Sequence, residues 1–166
     1  VFTKNRVKAS PLLVTKEHLK NGRAQGVIIN SKKANACAPD GMANARREAA
    51  ACAKFLNIPE EDVIVCSTGV IGQRLYVEAI EENLHLLQLK PDGSDEASRA
   101  IMTTDTTPKT AAVSFQAGGK TCHMGGICKG SGMIHPNMGT MICMITTDCA
   151  VDRELLQALL LEKVNI

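Results

Sequence analysis

Hydrophobic and polar positions follow two periods along this chain. Short apolar runs bounded by polar residues or glycine recur at Pro11–Thr15 (PLLVT), Gly26–Asn30 (GVIIN), Asp62–Cys66 (DVIVC) and Met141–Ile145 (MICMI). Runs of this length predict strands, the last two buried ones. Ala111–Ala117 and Lys120–Met124 flank Gly118-Gly119, which predicts a hairpin. Elsewhere the period lengthens to that of a helix. Gly41–Leu56 is alanine-rich, with Ala45, Ala49, Cys52, Ala53 and Leu56 on one face. Small residues there suit close packing against a sheet. Arg74–Leu89, Glu96–Met102 and Asp152–Val164 are further predicted helices. The last carries a Leu155, Leu156, Leu159 and Leu160 stripe, with Asp152 and Glu154 where a helix N-terminus favours negative charge. Interspersed strands, helices and a hairpin predict a layered α/β or α+β fold.

Between these elements lie Ser31–Asp40, Lys90–Asp95 and Thr103–Lys109, read as loops, and a glycine-rich turn region opening at Gly125-Gly126. There is no internal repeat and no linker long enough to split the chain. Residues 1–166 are therefore expected to form a single domain. The absence of an initial methionine suggests a fragment or a processed product.

Composition changes the picture in three ways. Aromatic residues make up only 2%, so the core must come from aliphatic residues, methionine, alanine and cysteine. The formal net charge is +2 with no basic block longer than two residues, which leaves no footprint for nucleic acid. No apolar stretch is long enough to span a bilayer as a helix. The seven cysteines include no C-x-x-C pair, which argues against zinc and for buried free thiols in a reducing compartment. The four histidines show no metal-ligand spacing.

Several stretches could carry chemistry. Cys66-Ser67-Thr68-Gly69 ends a predicted strand, where backbone N–H groups can face an anion or a developing oxyanion; Ser67 or Thr68 could equally cap a helix. Thr103-Thr104-Asp105-Thr106 offers hydroxyls and a carboxylate, or simply a solvated strand end. Lys129 among glycines suits a bound carboxylate, or is a surface lysine on a turn. His135 is read as a structural hydrogen-bonder. Thr140, at the entry to an apolar run, is either a structural hydroxyl or a nucleophile. No Ser-His-Asp or Cys-His arrangement is visible beside it. Cleavage of the Gly139–Thr140 bond would free an α-amine, pKa roughly 7.7–8.0, to act as base for its own hydroxyl.

Three motifs now stand together in order: CSTGVIG at 66–72, AIMTTDTTPK at 100–109 and GGICKGSGMIHPNMGTM at 125–141. In combination they closely resemble the ornithine acetyltransferase family, the bifunctional glutamate N-acetyltransferases of arginine biosynthesis. The resemblance covers essentially the whole chain and includes the opening VFTKNRVKASP. It implies a layered fold of sheets and helices, and a precursor that cleaves itself before a threonine, here Thr140. Residues 1–139 would belong to the α chain and 140–166 to the start of the β chain. It places the oxyanion hole on Thr68 and Gly69, and substrate contacts on Thr103 and Lys129.

The implied reaction is ping-pong. N-acetylornithine acetylates Thr140, ornithine leaves, and glutamate accepts the acetyl group; some members also use acetyl-CoA as donor. No metal or bound cofactor is implied. The implied partner is the remainder of the precursor, in αβ heterodimer pairs. The implied compartment is the cytoplasm in a bacterium or the mitochondrial matrix in a eukaryote. The family is more than twice as long as this chain, so the chain alone is expected to be inactive. Departures from the family pattern are Gly139 where alanine is usual, Tyr76 where proline is common, and Cys128 in place of alanine. Three alternatives stay open. One is a self-cleaving N-terminal-nucleophile amidase or peptidase, another a related acetyltransferase of another pathway, and the third a non-enzymatic domain that binds a small amino acid.

Overall fold

The computed structural model describes residues 1–130 and 141–164. They form two compact units, Asn5–Gly93 and a second built from Val1–Lys4 with the residues from Ser94 onward. Helices and sheets are mixed in the α+β manner the patterning predicts.

The Asn5–Gly93 unit contains helix α1 (Ser10–His18), strand β1 (Gly26–Asn30), helix α2 (Gly41–Leu56), strand β2 (Val63–Ser67) and helix α3 (Val77–Asn83). β1 and β2 pair in parallel, from Gly26 opposite Val63 to Asn30 opposite Ser67. A parallel pair needs a crossover, and α2 supplies it. Val14, Ile28, Ala45, Ala49, Cys52, Ala53, Val63 and Val65 form the core. The approach is close: a Cβ on Gly26 would lie 2.6 Å from Leu56 Cδ1. Asn57, left-handed at φ 54°, ends α2.

The PLLVT segment is helical rather than extended. Pro11 sits in the first turn, where a missing N–H costs nothing. Pro11, Val14, Thr15 and His18 form the buried stripe, at helical spacing. Two of these are polar because they serve the edge of β2. Thr15 Oγ1 donates to Val65 O and accepts from Val65 N, both at 2.9 Å. His18 Nδ1 lies 2.8 Å from Val63 O. The helix expected at Arg74–Leu89 is shorter: α3 is followed by one 3-10 turn at Leu84–Leu86, after which Leu87 is extended. Arg74 precedes α3 and bridges Asp40 and Glu78 at 3.1 and 2.9 Å.

The second unit contains helix α4 (Ser94–Ala100), strands β3 (Lys109–Ala117), β4 (Lys120–Cys128) and β5 (Cys143–Thr147), and helix α5 (Arg153–Lys163). The sheet is antiparallel in the order β3-β4-β5. Gly118 and Gly119, at φ 57° and 74°, make the predicted hairpin turn. Asp152 caps α5, accepting from the Glu154 and Leu155 amides at 2.9 and 3.2 Å.

Three expectations need correction here. Gly125 and Gly126 lie inside β4, paired on both sides, with β3 residues Ala112 and Ala111 and β5 residues Thr146 and Ile145. Ladder pairing overrides their turn preference. The strand expected at Met141–Ile145 begins two residues later and is largely exposed: Ile142 is 8% exposed, but Ile145 is 54%. Of the seven thiols, all free, only Cys52 and Cys122 are buried, while Cys37 and Cys143 are exposed.

Candidate functional site

The loops leaving the carboxyl ends of β1 and β2 carry the first group of candidates. Ends of parallel strands are where such folds place ligands. The loop after β1 is conformationally costly: Lys32, Asn35 and Cys37 all have positive φ (89°, 47° and 56°). The loop after β2 is laced to it. The Thr68 amide donates to Asn30 O at 3.1 Å, Val70 N to Lys32 O at 2.9 Å, Ala34 N to Val70 O at 3.0 Å, and Gly72 N to Ala36 O at 2.8 Å. Gly69 has φ 127°, and a Cβ there would fall 2.1 Å from the Lys32 carbonyl carbon. No other residue fits that crossing.

This geometry separates the donors of the Thr68-Gly69 pair. The Thr68 amide is committed to Asn30. The Gly69 amide and the Thr68 hydroxyl have no hydrogen-bond partner among the described residues. No helix starts at Ser67 or Thr68; α3 begins only at Val77, so the capping alternative does not hold. Among the described residues, Ser67 Oγ is buried without a partner. Cys66 is a poor nucleophile, because burial and then the charge of Glu48 push its thiol up to about 11.

The second group lies in the other unit and is organised by Asp105, whose side chain is 3% exposed. Its Oδ1 accepts from the Gly130 amide at 2.5 Å and from Lys109 Nζ at 2.8 Å. Its Oδ2 accepts from the Thr103 amide at 3.3 Å. Lys109, followed by the Thr103 and Gly130 amides, outweighs burial and holds the carboxyl down to about 2. One carboxylate thus ties Thr103 to the Lys129-Gly130 pair. Lys129 is 6% exposed; its amide donates to Ile142 O at 2.8 Å, and its Nζ donates to Gly130 O at 3.0 Å. A Cβ on Gly130 would lie 2.3 Å from Asp105 Oδ1, so glycine is required for the approach.

The sequence offered the Thr103–Thr106 run with its carboxylate, and the resemblance placed substrate contacts on Thr103 and Lys129, but nothing in it joined the two through Asp105. The available signal was the spacing of Asp105 to Lys109, four residues apart with opposite charges. A second pairing also escaped it. His123 on β4 faces Asp148, which accepts from the His123 amide at 2.7 Å and lies 2.8 Å from its Nδ1. Both side chains are exposed. Gly139, Thr140 and His135 lie outside the described residues.

The ArgJ family model matches residues 1–166. The chain is 46% identical over 168 residues to the arginine biosynthesis bifunctional protein ArgJ of Caldanaerobacter subterraneus subsp. tengcongensis, covering 99% of this chain and 42% of that protein. It is 42% identical over 170 residues to the glutamate N-acetyltransferase of Methanocaldococcus jannaschii, again covering 42% of that protein. The crystal structure of the ArgJ protein of Bacillus halodurans superposes with a TM-score of 0.76 at 43% identity, over 83% of this chain and 74% of that one. Ornithine acetyltransferase of Mycobacterium tuberculosis, solved in complex with ornithine, superposes at 0.70 with 36% identity, over 83% and 75%. The chain spans about 42% of the length of the curated relatives it matches. A match along its entire length, joined to these superpositions, shows that the chain belongs to the ArgJ family.

Proposed function

We propose that this chain is part of an acetyltransferase of arginine biosynthesis that moves acetyl from N-acetylornithine to glutamate. The observation that carries the reading is the Asp105 junction. Its carboxylate accepts from the Thr103 and Gly130 amides, which links the Thr103 backbone to the Lys129-Gly130 backbone and supports a shared role for Thr103 and Lys129 in binding an amino-acid substrate. The names of the relatives supply the chemistry, and the ornithine complex of the mycobacterial structure supports the substrate class.

In this mechanism the Gly139–Thr140 bond is cleaved first, and the freed α-amine of Thr140 takes the proton of its own hydroxyl. Thr140 Oγ attacks the acetyl carbonyl of N-acetylornithine. The Gly69 amide and the Thr68 hydroxyl, both uncommitted, receive the developing oxyanion. Collapse expels the ornithine amine, which takes the proton back. The glutamate amine then attacks the acetyl-threonine ester and regenerates the hydroxyl. Thr103 and Lys129 bind substrate, the lysine against a carboxylate. Neither metal nor bound cofactor enters these steps, and acetyl-CoA is a second donor. The rest of the precursor completes the enzyme as αβ pairs in a cytoplasmic or mitochondrial compartment. No helix among the described residues is long and apolar enough to cross a membrane.

Intact mass and N-terminal sequencing of the full-length protein test the reading. A chain beginning Thr-Met-Ile-Cys-Met is expected, with acetyl on that threonine after brief exposure to N-acetylornithine. A chain that stays whole on long incubation would overturn the self-activating mechanism.

A further inference from the structure

The β4–β5 ladder carries one cysteine pair, and two further cysteines lie just past its end. Cys128 stands directly opposite Cys143 in that ladder. Cys122 and Cys149 lie just past the ladder's last pair, Met124 opposite Thr147. The ladder hydrogen bonds fix the type of each pair. Lys129 N donates to Ile142 O at 2.8 Å, so Lys129 and Ile142 are a hydrogen-bonded pair. Such pairs alternate with non-hydrogen-bonded ones. Cys128 and Cys143, the adjacent pair, therefore fall on a non-hydrogen-bonded rung, where Cα atoms stand about 4.5 Å apart. That separation lies inside the roughly 4.4–6.8 Å window of disulfides. On that rung the Cys128 thiol donates to its neighbour's carbonyl, Lys129 O, at 3.3 Å.

The four thiols differ in access. Cys122 is buried, and Cys149 is half-buried. Cys143 is exposed, and Cys128 and Cys143 both line a groove of about 500 Å³ on the sheet, bordered by Lys109, Val113 and Ile145. A small oxidant reaches this pair first.

We propose that Cys128 and Cys143 are a reversible redox modification site that accepts low-molecular-weight disulfides and closes into a cross-strand disulfide. The exposed Cys143 thiolate attacks one sulfur of the small disulfide and releases one thiolate. The Cys128 thiolate then attacks Cys143 Sγ in the mixed disulfide and expels the second. Two protein thiols and one small disulfide become one protein disulfide and two small thiols. Closed, the bond ties β5 to β4 at the rung beside Lys129 and Ile142. A strained or accessible disulfide of this kind is labile, so a reducing compartment keeps it open. The site does not depend on the acyl-transfer reading, and its test does not measure activity.

The full-length protein is equilibrated in glutathione buffers from fully reduced to fully oxidised, quenched in acid and alkylated. It is then digested without reductant and mapped by mass. The expected product is a peptide pair joined through Cys128 and Cys143, forming before any Cys122–Cys149 pair and abolished by dithiothreitol. In Cys143→Ser the joined pair is absent and Cys128 becomes alkylated, while Cys37→Ser leaves the product unchanged. In the oxidised protein the Lys129 amide should exchange about tenfold more slowly, as a rung held shut by a covalent tie would. Both thiols alkylated at the most oxidising ratio would overturn the proposal. So would glutathione retained on Cys143, or Cys128 joined to another cysteine.

Discussion

The Gly130 amide lies 2.5 Å from Asp105 Oδ1, although the two residues are 25 positions apart. That bond, with those from Lys109 and the Thr103 amide, makes Asp105 the joint between the TTDTTPK loop and the end of β4.

Removing the joint should be costly. Asp105→Ala leaves the Gly130 amide and the Lys109 ammonium without their acceptor, a loss on the order of 2 kcal/mol. The pH dependence has a defined sign. The folded carboxyl titrates at about 2, below its ordinary 3.8, so its contribution is present above pH 4 and disappears as pH falls through 2. Urea midpoints of wild type and Asp105→Asn should differ at pH 7 and converge near pH 2. A gap that persists unchanged at pH 2 would sink the assignment.

Gly69→Ala should be far worse than Gly72→Ala, although both glycines have positive φ. At Gly72 a Cβ meets nothing within 4 Å, leaving only backbone strain of about 1–2 kcal/mol. At Gly69 it meets the Lys32 carbonyl carbon at 2.1 Å and oxygen at 2.2 Å, so the two loops must separate. Thermal unfolding of both variants checks this. The expected order is a modest loss for Gly72→Ala and a loss of several kcal/mol for Gly69→Ala. Equal midpoints would show that the loops part freely.

How far the sequence foretold this structure depended on what buries each element. α2 was legible to the residue, because Ala45, Ala49, Cys52 and Ala53 bury an apolar stripe at helical spacing. β1 and the Gly118-Gly119 hairpin were legible for similar local reasons. α1 was not, because half of its buried stripe is polar and gains its burial only from the β2 backbone. Gly125 and Gly126 looked like turn residues because their pairing on both sides is tertiary information. The candidate site divides the same way. Thr103 and Lys129 could be picked out by motif, but their junction through Asp105 exists only once the chain is folded.

Thr15→Val tests the account of α1. The substitution keeps the shape and removes the hydroxyl that both donates to Val65 O and accepts from Val65 N. Two backbone groups in the core then lose their partner, which costs about 1–3 kcal/mol each. Thr15→Ser, which keeps the hydroxyl, should retain most of the stability. Denaturant titration of the three proteins separates the outcomes. If valine were tolerated as well as serine, the reading of α1 as a hydrogen-bonded cover on β2 would fail.

Glu48 gives the clearest pH signature. It is fully buried on α2, and neither carboxylate oxygen has a hydrogen-bond partner among the described residues. Burial alone raises its carboxyl to about 8. A folded pKa above the unfolded one means that the folded state holds the proton more tightly. The associated stability is complete below about pH 4.5 and is lost as pH rises through 8. Near pH 7 the group is mostly neutral in the folded state, and it charges in alkaline solution. Glu48→Gln carries no titrating proton, so its stability should stay level where wild type declines. Chemical denaturation at pH 5 and pH 9 should show the mutant's advantage growing by roughly 4 kcal/mol between them. Parallel curves for the two proteins would mean that Glu48 finds a charged partner on folding, and would refute its burial as a neutral acid.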